Sequence, residues 1–431
     1  MIARFLYAAT AALALVAPAS AQDFAITNAT VATGDGSEPV ENATVVVQNG
    51  RVVAAGAGLA TPAGVEVIDG TGKWITPGIF SAITTLGLVD VDGVSESNDT
   101  SAGRSPFSAA LDVAPAINPA SQQLLVARAD GITRASIAPQ PASGIFGGQG
   151  AVIDLGADAE PITKARAFQI VALGETGARL GGGGRTGTYA WLDNALHEAH
   201  AYAAGRWSGE DAELTRADAA ALGPVVSGKQ ALYVHVERAS DIREILQLRR
   251  DFPNLDLVLL GVSEGWLVAD DIAAAGVPVI ADPLDDLPTG FDQIAATQSN
   301  IGRMQKAGVK VAIGRMEGGT AEQPRNARQY AGNLVALTRV PGADGLSWGQ
   351  ALATITSIPA AISGFGGQLG TLAPGAIADV VMWDGDPLEV GSVPVAVFID
   401  GVRQPVENHQ TRLRERYRDL DESDLPKAYD W

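Results

Sequence analysis

The chain has 431 residues, with 30 Lys and Arg against 49 Asp and Glu, four His and no Cys. A charged fraction of 18% beside 46% hydrophobic residues excludes a disordered chain and suits one large α/β domain with a smaller companion. The formal charge of −19 argues against nucleic acid and anionic lipid as partners, and the lack of Cys removes disulfides, thiolate metal sites, Cys nucleophiles and lipoprotein anchoring.

Residues 1–21 read as a secretory signal. Arg4 supplies the positive start, Phe5 to Val16 the apolar stretch, and Ala19-Ser20-Ala21 the small-residue cleavage site. The apolar run is shorter than the roughly 20 residues a membrane-spanning helix needs. A periplasmic or secreted protein, free of the membrane after cleavage, is the expectation.

From Phe24 to Ile75 the pattern is strand-like. Thr44 to Val47 and Val52 to Ala54 flank Asn49-Gly50, residues that accept the positive φ of a tight hairpin turn. Val65 to Ile68 precedes a further turn at Asp69-Gly70. The same texture returns in Ala378 to Trp383 and Val395 to Ile399, each followed by Asp-Gly. These strands are too few at either end to bury both faces, so residues 22–75 and 367–405 are expected to form one small composite β domain.

Between them, over 76–366, short apolar strands alternate with amphipathic helices. Leu232 to Val236 is a strand, and Ser240 is expected to cap a helix carrying Ile242, Ile245, Leu246 and Leu248. Leu257 to Leu260, Val277 to Ile280 and Lys310 to Ile313 read as further strands, with a helix from Trp266 to Ala275. Ser347 and Gln350 form a capping box opening a helix that runs to Ser357. Such alternation implies parallel strands with helical crossovers, in a (β/α)₈ barrel or a doubly wound sheet, and periodicity alone does not choose. The tail, 406–431, is charge-dense; it reads as a solvated helix then a loop, or as a subunit contact through Leu413, Tyr417, Leu420 and Trp431.

Trp74 to Gly87, reading WITPGIFSAITTLG, resembles the entry into the barrel of the amidohydrolase superfamily. Ala127 to Thr133 looks like its second strand, Leu372 to Trp383 like its return to the small β domain, and Val397 to Gly401 like its closing hairpin. The matches are collinear over nearly the whole chain and are nearest to the imidazolonepropionase-like branch. The resemblance implies a TIM-like (β/α)₈ barrel with a composite β-sandwich domain, and hydrolysis of non-peptide amide or cyclic C–N bonds.

Members of that superfamily bind divalent metal at the barrel mouth, where it activates water. Here the ligand positions implied by the resemblance are substituted. Ile83 and Thr85 stand at the strand-1 His pair, Gln169 near the strand-4 Lys, Gly261 at the strand-6 His and Met316 at the strand-8 Asp. Only His235 on strand 5 matches. One imidazole does not hold a catalytic zinc, which usually takes three protein ligands, so no metal is expected. Polar residues near the strand ends, Thr85, His235, Glu237, Arg238, Glu264, Asp282, Arg315 and Glu317, are the candidate pocket lining. An ion pair of Arg315 is expected to take the space a metal leaves.

Two functions follow. One is a degenerate family member serving as a small-molecule-binding or partner subunit, as a homo-oligomer or beside an active amidohydrolase. The other is an active C–N hydrolase with a rearranged site, using His235 as base or a divalent metal such as Zn²⁺. Three weaker patterns favour bland readings: His197 and His200 as solvent-facing helix residues, Gly181 to Gly184 as a flexible loop, and Asp90, Asp92, Glu96 and Asp99 as a solvated acidic loop.

Overall fold

A computed structural model describes residues 21–91, 93–315 and 323–418. The expectations for residues 1–20 and 419–431, and for Asp92, Met316 and Glu317, lie outside the described residues.

Strands β1 (Phe24–Val31), β2 (Val40–Gln48), β3 (Arg51–Ala57), β4 (Glu66–Asp69) and β5 (Trp74–Pro77) open the chain. The barrel region then runs β6 (Ile79–Thr84), α1 (Gln122–Ala129), β7 (Ile132–Ile137), β8 (Phe146–Asp154), β9 (Ile162–Ala172), α2 (Gly174–Leu180), α3 (Arg185–Ala203), α4 (Arg216–Val226) and β10 (Ala231–Val236). It continues with α5 (Ala239–Gln247), β11 (Leu257–Gly261), α6 (Ala269–Ala275), β12 (Val279–Ala281), α7 (Asn300–Lys306), β13 (Val311–Ile313), α8 (Ala327–Ala336), α9 (Trp348–Ala353) and α10 (Ser357–Ile362). Last come β14 (Val380–Trp383), β15 (Pro394–Ile399), β16 (Val402–Arg403) and α11 (His409–Arg416).

The two chain ends build one sheet, ordered β16-β15-β14-β5-β1-β2-β3, with β4 also paired to β1. The β2–β3 hairpin turns at Asn49 and Gly50, with φ of 52° and 70°, the left-handed values this pair tolerates. Phe24 of β1 stacks on Phe398 of β15, ring centroids 4.3 Å apart, although those strands are not neighbours. The sheet therefore curls over its own apolar core of Ile26, Val45, Val47, Val380 and Phe398.

The second sheet holds eight strands in simple chain order from β6 to β13. A nearly closed barrel results: the amide of Phe80 in β6 donates to Ile355, and that of Ile313 in β13 donates to Thr354, so residues 354–355 bridge the last gap. Most neighbours pair in parallel, but β8 is antiparallel to both β7 and β9. The expectation of uniform crossovers fails there because the 155–161 connection is too short for a crossover helix. Alternate strand residues fill the interior with Phe80, Ile83, Phe168, Tyr233, Val258, Leu260, Ile280 and Ala312.

Helix boundaries depart from the sequence reading in three places. Of the helix expected from Trp266 to Ala275 only Ala269–Ala275 is α-helical, after a 3-10 turn at Gly265–Val268. Arg238, not Ser240, is the cap residue of α5, where Glu264 accepts the Ala239 amide at 3.0 Å. The capping box of Ser347 and Gln350 is present, but its helix ends at Ala353 and a separate helix starts at Ser357. His197 and His200 lie exposed on α3, and the glycine run joins α2 to α3 with no strand before it. Among the described residues, no helix is long and apolar enough to cross a membrane.

Arg134 of β7 ties the sheets together. Its guanidinium donates to both oxygens of Asp379 at 2.7 and 3.1 Å and to Asp400 at 2.7 Å, with Asp154 at 3.7 Å. Burial opposes its charge, and the surrounding carboxylates more than offset that and raise its pKa. Arg134→Met strands the buried carboxylate of Asp379, so urea unfolding should show a loss of roughly 3–5 kcal/mol.

Candidate functional site at the barrel mouth

Strands β10 to β13 end at one face, and their last residues surround a cavity of about 300 Å³. His235, Glu237, Asp282 and Arg315 line it with Ile83, Leu260, Gly261, Ile280 and Gly314. Asp285, Thr289 and Gln293, from the segment between β12 and α7, complete the wall.

His235 points inward because β10 alternates, with Leu232, Val234 and Val236 packed against the helices. Its Nε2 lies 3.0 Å from Oε1 of Glu237, and Oε2 of Glu237 accepts the Ser263 amide at 2.8 Å. Glu237 is buried. Burial pushes its carboxyl pKa up, but the bond and charge of His235, with the Ser263 amide, hold it below the ordinary range.

Gly261 explains where Glu237 sits. A Cβ on Gly261 would stand 2.2 Å from Glu237 Oε1, and the residue has φ of +81°. The missing side chain leaves the volume that the carboxylate fills. A similar substitution of space occurs opposite: a Cβ on Gly314 would lie 2.4 Å from Ile280 Cγ2 and 2.9 Å from Ile83 Cγ2.

Arg315 bridges two acids, Nε donating to Asp282 at 3.1 Å and Nη2 to Asp285 at 2.7 Å. Both partners come from the segment after β12, whereas Glu317, which with Arg315 suggested an ion pair from sequence, lies outside the described residues. Burial and the nearby charge of Glu237 push the carboxyl of Asp282 up to about 7, with Arg315 opposing.

Three predicted lining residues lie elsewhere. Thr85 is buried in the turn after β6 and does not reach the cavity. Arg238 turns outward to Asp241 at 2.7 Å. Glu264 spends its carboxylate on the amides of Ala239 and Ala295, at 3.0 and 3.1 Å. Gln169 lies three residues before the end of β9, and the parallel partner of His235 is Ala172. Both side-chain polar atoms of Gln169 are buried without a hydrogen-bond partner.

Sequence reasoning missed Asp285, Thr289 and Gln293. Asp285 was open to notice as an acid just past strand 7, whereas the other two are ordinary loop residues. Their segment is clamped over the mouth: Glu175 accepts the Phe291 amide at 2.8 Å and Asp292 accepts the Glu175 amide at 2.9 Å.

The described residues do not fit a three-ligand catalytic divalent metal. Ile83, Thr85, Gln169 and Gly261 offer no imidazole or carboxylate, and among the described residues no three His, Asp or Glu side chains converge as a metal site.

A profile of the amidohydrolase family matches residues 264–403. An amidohydrolase from Thermotoga maritima MSB8 superposes with a TM-score of 0.77 at 27% identity, over 88% of this chain and 99% of that one. Molinate hydrolase superposes with a TM-score of 0.54 at 16% identity, over 90% of this chain and 95% of that one, a likeness of fold alone. The amidohydrolase tasK of Hapsidospora irregularis is 50% identical over 60 residues, which span 14% of this chain and 6% of that relative. The molecule has the amidohydrolase fold, a TIM-like barrel with a second β domain.

Two outcomes test this geometry. Gly261→Ala should destabilise by about 1–3 kcal/mol through its left-handed backbone, with further cost from Glu237. Thermal melts should show part of that loss recovered in a Glu237→Ala background, as coupled neighbours require. A carboxyl whose folded pKa is raised loses stability as pH climbs from its unfolded value to its folded one. Asp282→Asn should therefore gain over the parent progressively from pH 4 to pH 7, reaching roughly 2–4 kcal/mol above that in denaturant titrations.

Proposed function

We propose that this chain is an exported member of the amidohydrolase superfamily, in its imidazolonepropionase-like branch, that works without the family's metal centre. Its barrel mouth serves to bind a small molecule, alone or as a partner subunit in a homo-oligomer or beside an active amidohydrolase. The observation that carries this is the packing of Glu237 into the space over Gly261. A carboxylate bonded to His235 and Ser263 stands where a strand-6 ligand would project, and Ile83 closes the strand-1 side with carbon.

Metal analysis tests the reading directly. The chain lacking residues 1–21, purified without chelator, should carry less than about 0.1 equivalent of zinc, iron or manganese, where a three-ligand catalytic site retains near one. It should also fail to hydrolyse a panel of acyclic and cyclic amides with or without added Zn²⁺. Near-stoichiometric metal would sink the proposal.

The His235–Glu237 pair favours a second reading, a metal-independent C–N hydrolase. A buried carboxylate holding one ring nitrogen fixes the imidazole's orientation, as a general base requires. In that case turnover persists in chelator and is lost in His235→Ala.

A further inference from the structure

Among the described residues that line the mouth cavity, acids outnumber bases. Glu237, Asp282 and Asp285 share the wall with the guanidinium of Arg315 and the imidazole of His235, and His235 is bonded to Glu237. Arg315 already divides its donors between Asp282 and Asp285. Two other arginines are committed to a separate cluster: Arg185 to Asp241 and Asp292, and Arg238 to Asp241. The opposite wall is carbon, from Ile83, Leu260 and Ile280.

We propose that the cavity recognises a small organic cation, an amine or amidine on a compact apolar body, with Asp282 and Asp285 receiving the charge and Ile83, Leu260 and Ile280 the body. The inference rests on the mouth being a ligand-binding site and adds the sign and shape of what it takes. Attraction between unlike charges in a half-buried cavity is several times stronger than in water. An anion would meet the same carboxylates with Arg315 already engaged. Thr289 and Gln293 at the rim supply polar atoms for the donors the two acids leave over.

Benzamidine, benzamide and benzoate share one ring and size and differ in charge, so they isolate this claim. Each is titrated at pH 8 into the chain lacking residues 1–21, by calorimetry and by following the His235 imidazole resonances. Benzamidine should saturate one site, shift His235 and bind about tenfold or more tighter than benzamide, with no saturation by benzoate. Asp285→Asn should weaken it about tenfold or more, and Asp285→Glu should retain binding within about threefold. Asp271→Asn, at the exposed pair with Arg243, should change nothing and controls for the acidic surface. Benzamide or benzoate shifting His235 with affinity equal to benzamidine would overturn the cation assignment and leave the mouth as a binding site. Benzamidine that fails to saturate by about 10 mM, leaves His235 unmoved, or loses as much in Asp271→Asn as in Asp285→Asn would also overturn it. The metal and hydrolysis measurements decide the broader reading independently.

Discussion

Glu237 can lie against Gly261 only because position 261 has no Cβ and its backbone turns with positive φ. That close approach settles much of the mouth. It buries the carboxylate, gives it the Ser263 amide and sets it 3.0 Å from His235. Burial, and after it the negative charge so fixed, raises the proton affinity of Asp282 on the next wall, and Asp282 accepts from Arg315. One missing side chain thus propagates through four polar residues.

Carbon does the corresponding work on the far side. Ile83 and Ile280 meet over Gly314, so the ends of β6, β12 and β13 are joined there by apolar packing. Interiors packed to crystal-like density leave no slack for a change of one side chain. Among the described residues, the mouth of this barrel combines acids, the His235 imidazole, the Arg315 guanidinium and an apolar wall.

Two sets of carboxylates hold the frame around it. Glu175, Asp292 and Glu264 accept backbone amides and pin the segment between β12 and α7 to the ends of β9, β10 and β11. Asp379 and Asp400 hold the β domain to the barrel through Arg134, and the Trp383 indole of β14 donates to Thr76 of β5. Both devices use acid groups from distant sequence, which gives part of the acidic excess a structural role.

The sequence by itself determined the elements whose cause is local. Asn49-Gly50 makes a hairpin through its own φ preference, Ser347 with Gln350 caps a helix through adjacent atoms, and alternation makes β10 carry His235 inward. That Ile83, Thr85 and Gly261 carry no imidazole or carboxylate was legible as letters, because a residue's chemistry is written in its identity. Only tertiary structure decided where Glu237, Glu264 and Arg315 spend their charges, that β8 runs antiparallel, and that Thr289 and Gln293 reach the cavity. Those outcomes depend on register and on partners tens of residues away. A side chain's charge is written in the sequence, but the group that answers it is chosen by the fold.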